Sequence, residues 1–388
     1  VTTDLGLNPA RPAAGLREVV GLFLRLGATA FGGPAAHVAL MRDEVVGRRG
    51  WLTDLEFLDL VSATNLIPGP NSTELAIHIG HRVAGWRGLL TAGVCFIVPA
   101  ALLVTGIAWV YVTFGTLPEL GGVLYGVKPV VIAVVLQALW KLGQTCLKTR
   151  WLAAVGGIDL LLAALGVHEF VVLFGTGVLL AAVRRTRGRP PAAVLGIALP
   201  ALSVPPAAAA ATIPFGLWPL FGVFVKTGAV LFGSGYVLLA FLRGDLVERY
   251  GWLTEQQLLD AVAVGQVTPG PVFTTATFVG YVLGGPLGAA VATVGIFLPA
   301  FAFVAASIPV VARLRRSVTA GAFLDGVNAA SLALMTVVTA QLARAALVDA
   351  FTVALTAVSV LLLVRYRTNS AWLIAGGAAT GLIRAAGA

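Results

Sequence analysis

Of 388 residues, 58% are hydrophobic and only 11% charged, with a net charge of +9 and a mean hydropathy of +0.94. Soluble domains carry about a quarter of their residues as charges, so the composition excludes a soluble protein; the apolar runs are continuous rather than alternating, which excludes a β-barrel. The cations fall in short clusters between apolar runs, as in the loops of membrane proteins, and give no reason to invoke nucleic acid.

In chain order, residues 1–15 form a polar tail with no small-residue cleavage site behind an apolar core, so no cleaved signal peptide is expected. A first repeat, 16–185, opens with four apolar pieces too short to span a bilayer: 17–31, 34–47, 54–67 and 71–84. They read as two hairpins, with tips at Phe31-Gly32-Gly33-Pro34 and Ile67-Pro68-Gly69-Pro70. Between the hairpins, Thr53 and Glu56 fit a capping box that starts a helix, and Trp51 suits the interfacial aromatic belt. The run 88–112 exceeds the ~20 residues a bilayer requires and is preceded by Arg82 and Arg87. Further apolar runs lead to a cationic cluster at Arg184, Arg185, Arg187 and Arg189.

Residues 186–215 read as a linker. Its uncharged part is long enough to cross the membrane, although Pro200, Pro205, Pro206 and Pro214 suit an extended surface segment equally. A second repeat, 216–388, then begins: 23–70 recurs as 224–271, placing Phe31-Gly32 on Phe232-Gly233, Arg42 on Arg243, Asp59 on Asp260 and Gly-Trp-Leu-Thr on itself. The counterpart of 88–112, at 288–311, is followed by Arg313, Arg315 and Arg316 instead of preceded by cations. By the positive-inside rule the two halves run in opposite directions. The expectation is an all-α integral membrane protein of two inverted homologous repeats with broken or re-entrant helices, with about nine full crossings and four short hairpins, or about 13 segments counted together.

The breaks carry the functional signal. Pro68-Gly69-Pro70 and Pro269-Gly270-Pro271 interrupt helices where hydrocarbon supplies no hydrogen-bond partner. The helix that restarts has free N–H groups and roughly +0.5 charge at its first turn, a place that favours an anion. Asn71, Ser72 and Thr73 follow the first break; Thr274, Thr275 and Thr277 follow the second. With Gly32, Gly33, Gly233 and Ser234 at the other tips, four such ends converging at the midplane would bind an oxyanion. The competing reading is a plain kink, with the hydroxyls bonded back to the preceding turn.

Repeat-related charges add to this. Arg25 and Lys226 precede the first tip of each half by about six residues, ~9 Å at helical rise, where a cation could neutralise a bound anion or snorkel to an interface. Asp59 and Asp260 lie on the helices that end at Pro-Gly-Pro and could carry a coupling proton or form a salt bridge with Arg42 or Arg243. Arg42 with Glu44, and Arg243 with Asp245, are expected to pair at a membrane edge. Glu74, His78 and His81 share a helix face with metal-ligand spacing, but the second half lacks the histidines, so no metal is assigned and a proton or structural role confined to the first half is expected instead. Cys95 and Cys146 have no spacing that suggests chemistry, and the absence of a phosphate-binding Gly-Lys-Ser/Thr loop leaves ion gradients as the energy source, with no cofactor. Small-residue faces such as 284–295 could pack within one chain or between two, which keeps a homodimer open.

The motifs FGGPAAHVALMRDEVV, GWLTDLEFLDL and NLIPGP, with GWLT, TPGP and GIFLPAF in the second half, resemble the chromate ion transporter (CHR) family, long-chain branch. The resemblance implies two halves of opposite orientation that export chromate with the proton-motive force, sulfate being the competing dianion. It points to Phe31, Gly32, Gly33, Pro34, Arg42, Glu44, Pro68, Gly69 and Pro70, with Gly233, Gly270 and Pro271 in the second half. The FGSG tip at 232–235 departs from the pattern by lacking the proline. Three other readings have discriminating tests: a sulfate or organic-anion carrier by flux competition, an intramembrane enzyme by metal analysis, and a non-transporting scaffold by alanine replacement of Pro68-Gly69-Pro70.

Overall fold

The computed structural model describes residues 15–31, 33–115, 118–185, 214–232, 237–309, 317–366 and 368–387, and all regular structure among them is helical. The first half contains α1 (Leu16–Thr29), α2 (Gly33–Arg42), α3 (Asp54–Thr64), α4 (Asn71–Phe114), α5 (Pro118–Cys146), α6 (Arg150–Ala164) and α7 (Glu169–Arg185). The second contains α8 (Leu217–Val230), α9 (Leu238–Leu242), α10 (Glu255–Val267), α11 (Thr275–Ser307), α12 (Val318–Ala346), α13 (Ala350–Arg365) and α14 (Ser370–Gly387). The linker expected at 186–215 lies outside the described residues except for its last two positions. The Arg313, Arg315 and Arg316 cluster also lies outside them.

Local chemistry starts and stops these helices as the sequence implies. Thr53 accepts from the Glu56 N–H while the Glu56 carboxylate accepts from the Thr53 N–H at 2.8 Å, and Thr254 with Gln257 repeats the box before α10. On α1 the buried residues Val19, Leu22, Phe23, Leu26 and Gly27 follow helical spacing and form one apolar stripe. After α2 and α9 the helix widens into π-helical turns, Asp43–Arg48 and Arg243–Arg249, in both halves. No residue pattern in the sequence marks this widening.

Helices α4 and α11 are each two helices joined at a break. Ala84 and Gly85 leave helical geometry, Gly85 at φ 61° and ψ −152°, and Gly284 and Gly285 do the same in the second half. A side chain is strained in that backbone region, which only glycine enters freely. The chain doubles back there: Gly80 approaches Gly88, and Gly280 approaches Gly288, so closely that a Cβ on any of the four would collide with the facing carbonyl. A short half-helix therefore runs from each Pro-Gly-Pro to the break and a long helix returns, as the expected piece at 71–84 and run at 88–112 require. The small-residue face at 284–295 packs inside the chain, with Gly288 against Gly280 and Gly295 against Phe224.

Among the described residues four helical stretches are long and apolar enough to cross a membrane: Asn71–Phe114, Gly121–Cys146, Val272–Ser307 and Thr319–Ala346. Helices α6, α7, α13 and α14 are shorter, of 15, 17, 16 and 18 residues. The two halves exchange these helices. Helix α5 packs on α13 and α14 of the second half, and α12 packs on α6 and α7 of the first. Glycine pairs mark the crossings: Gly126 meets Gly377 and Gly122 meets Gly381, while Gly326 meets Gly177. Close backbone approach is the main source of helix association in lipid, where the hydrophobic effect gives none. The helix pairings, and the Gly126–Gly377 crossing as Gly326–Gly177, recur with the halves interchanged.

Candidate functional site

The tips meet in pairs, each pair formed between halves. The Gly69 N–H donates to the Leu231 carbonyl at 2.6 Å, and the Gly270 N–H donates to the Ala30 carbonyl at 2.9 Å. Ala30 and Leu231 each end the first arm of a half, directly before Phe31-Gly32 and Phe232-Gly233. Each Pro-Gly-Pro tip of one half is thus closed by the first tip of the other. Gly69 sits at φ 139° and Gly270 at φ 87°, and a Cβ on Gly270 would strike Ala100 and the Gly27 carbonyl. The half-helices then begin at once, with the Thr73 and Glu74 N–H groups bonding to the Pro70 carbonyl. Pro68, Pro70, Pro269 and Pro271 therefore frame two helix starts buried at the contact of the halves. Gly32, Gly233 and Ser234 lie outside the described residues, and Gly33 begins α2.

The hydroxyls behave differently in the two halves. Thr274 donates to the Pro271 carbonyl and Thr275 to the Val272 carbonyl, both at 2.8 Å, so these two are turned back on their own turn as the kink reading expects. Thr277 shares a hydrogen bond with Thr293. In the first half Ser72 is buried, Thr73 is fully buried with no partner for its hydroxyl, and Asn71 donates to the Asn65 side chain at 2.9 Å. Hydrogen-bonding capacity without a protein partner is concentrated at the first-half start.

The charged pairs differ from the expected ones. Arg25 reaches Glu44 at 2.5 Å, and Arg48 and Arg49 also approach that carboxylate. Its repeat counterpart is Lys226 with Asp245. Arg42 pairs instead with Asp54 at 2.6 Å, and Arg243 pairs with Glu255 and Glu248. The π-turn accounts for the exchange: it begins right after Arg42 in the first half and at Arg243 in the second and buries Glu44 and Asp245, while the arginines reach to the next helix start. Arg25 and Lys226 are thus held by acids of their own half.

Asp59 and Asp260, equivalent in sequence, have unequal surroundings. Asp59 is exposed, whereas Asp260 is buried, 3.0 Å from Lys128 and bonded by the Tyr111 hydroxyl at 2.9 Å. Both partners come from the first half, so Asp260 joins the halves with a salt bridge that neither Arg42 nor Arg243 supplies. Sequence reasoning missed Lys128 and Tyr111; the signal was a lone lysine inside the apolar run 121–140. Of the Glu74, His78 and His81 set, His81 packs edge-on against Trp86 with ring centroids 5.1 Å apart, and no cluster of three metal-ligating side chains exists among the described residues.

Comparison with known proteins matches this chain to a family described as Chromate transporter, over residues 17–202 and again over 218–382. The chain is 36% identical to the chromate transport protein of Cupriavidus metallidurans, over 98% of this chain and 96% of that protein. It is 34% identical to the chromate transport protein of Pseudomonas aeruginosa, over 88% and 84% respectively. The probable chromate transport protein of Synechococcus elongatus is 32% identical, over 82% of each chain. No solved structure matches the chain.

Proposed function

The chain belongs to the chromate transporter family and is a multi-pass transporter of the cell membrane, and on that premise we propose that it exports chromate, coupled to the proton-motive force, and so confers chromate resistance. The observation that carries this reading is the reciprocal closure of the Pro-Gly-Pro tips, Gly69 on Leu231 and Gly270 on Ala30. It brings two helix starts, each with free N–H groups and a positive end, to the contact between the halves. A tetrahedral dianion is recognised there by backbone donors, and a rocking of one half against the other would expose it to each side in turn. The membrane potential favours this direction: a dianion leaving a negative-inside cell gains about 4.6 kcal/mol at ~100 mV, enough for roughly a 2,000-fold gradient.

Backbone donors also suit sulfate, which has the same shape and charge, so sulfate transport is the second reading. Everted vesicles decide between them. Uptake of chromate that collapses with an uncoupler and is competed by sulfate supports coupled chromate export. Sulfate uptake without chromate uptake keeps the anion site and removes the proposed substrate; chromate uptake indifferent to the uncoupler removes the coupling.

A further inference from the structure

Glu74 lies in the first turns of the half-helix that starts at Pro70. It is fully buried, and among the described residues neither carboxylate oxygen has a hydrogen-bond partner. The side chain does not point away from the tip: its Oε1 occupies the space beside Gly69, where a Cβ would collide with it. Beside it, Thr73 is fully buried with an unpartnered hydroxyl, and His78, 5% exposed, has an unpartnered Nε2. The equivalent start in the second half carries Thr274 and Thr275, bonded to their own turn, and no acid. Of the two half-helix starts, only the first carries unpartnered buried side-chain atoms among the described residues.

Charged and titratable groups on the elements packed against α4 are committed elsewhere. On α1, Arg25 is held by Glu44, and Glu18 accepts from the Gly15 N–H. On α2, His37 bonds to the Ala30 carbonyl at 3.0 Å and Arg42 pairs with Asp54. On α3, Glu56 pairs with Arg82, and Asp59 lies on the exposed side. On α10, Asp260 pairs with Lys128 and Glu255 with Arg243, and α11 brings only Tyr281. Among the described residues none of these reaches the Glu74 carboxylate. An ionised carboxylate enclosed without a partner costs several kcal/mol, and a helix start returns at most about 2.

We propose that Glu74 is the proton-binding group of this transporter, and that its ionised carboxylate and the oxyanion take turns at the α4 start. An ionised Glu74 acts as a tethered anion on the N–H groups that the substrate needs. Two anions in one enclosed place repel, so a bound dianion requires Glu74 protonated or displaced; a proton carried with the dianion leaves one net negative charge to move outward, which the membrane potential still drives. Proton and anion occupancy are then linked, and by reciprocity each alters the affinity for the other. This inference rests on the reading of the tips as the oxyanion site.

The test is the pH dependence of KM for sulfate, which stays a dianion throughout, with chromate, which itself takes up a proton near neutral pH, as parallel probe, in everted vesicles between about pH 5.5 and about pH 8. In the wild type KM is expected to rise with pH, approaching about tenfold per unit for one linked proton. Glu74→Gln is expected to transport with a KM that no longer depends on pH. A Glu74→Gln protein that keeps the wild-type slope overturns the proposal, as does a flat wild-type profile. Should Glu74→Gln not accumulate in the membrane, Glu74→Asp carries the test, because it retains a titrating group; a pH-independent KM there overturns the proposal too. Wild-type vesicles that move neither anion would instead reject the tips as an oxyanion site.

Discussion

The Gly69 N–H and the Leu231 carbonyl form a 2.6 Å hydrogen bond across the two halves, and Gly270 with Ala30 forms its mirror at 2.9 Å. These bonds hold the breaks in place at the contact of the halves. Gly270→Ala tests the arrangement: the new Cβ meets Ala100 and the Gly27 carbonyl, in a left-handed backbone at φ 87°. Backbone strain of that kind costs about 1–3 kcal/mol before the clash is counted. Detergent-purified variant is expected to melt earlier than wild type, and its chromate flux in vesicles to fall at least tenfold.

Lys226 and Asp245 form a pair in which the acid is almost fully buried. Removing one partner leaves an uncompensated charge, which costs about 3 kcal/mol. Asp245→Asn should lower the thermal midpoint clearly, and the double change Lys226→Met with Asp245→Leu should recover much of the loss. An Asp245→Asn protein as stable as wild type would show that the pair has no structural weight.

Asp260 and Lys128 offer a double-mutant cycle. The cycle measures coupling only for groups in contact, and these lie 3.0 Å apart with the carboxyl also bonded by Tyr111. Lys128→Met and Asp260→Asn singly should each destabilise the protein, and the pair of changes should cost less than their sum by about 1–3 kcal/mol. Additive effects in purified protein would separate the two residues.

At the start of α13, Asp349 accepts from the Tyr125 hydroxyl and from the Thr352 N–H at 2.9 Å, and Arg384 lies 3.1 Å away. The Tyr125 hydrogen bond, then that N–H and the nearby cation, hold its carboxyl at about 2, below the ordinary 3.8. A lowered folded-state value means the contribution is present above the unfolded value and is lost as pH falls through the folded one. Thermal midpoints should therefore drop as pH is taken from about 4 to about 2, and Asp349→Asn should flatten that part of the curve.

What could be read from the sequence was local or repeated. Pro-Gly-Pro, the Thr53 and Thr254 boxes and the duplication of 23–70 depend on neighbours a few residues away or on a copy in the same chain. Which acid Arg25 takes was not legible, because Glu44 reaches it only through a π-turn, and the wider turn has no compositional mark. Asp260 shows the limit more sharply. Its partners Lys128 and Tyr111 lie in the other half, Tyr111 149 positions away, so identical aspartates at 59 and 260 give no hint that only one is buried. The orphaned state of Glu74 also appears only in three dimensions, since its spacing with His78 and His81, read as a proton or structural role confined to the first half, says nothing of what surrounds the carboxylate.

The reciprocal tip bonds also constrain what a shorter ancestor could have been. A single half, alone in lipid, would carry an unanswered N–H at its Pro-Gly-Pro and an unanswered carbonyl at its first tip, each costing several kcal/mol in hydrocarbon. Such a half closes only by meeting a partner inserted the other way up. Gene fusion would then have fixed in one chain a pairing that separate copies had to find by entering the membrane in both orientations.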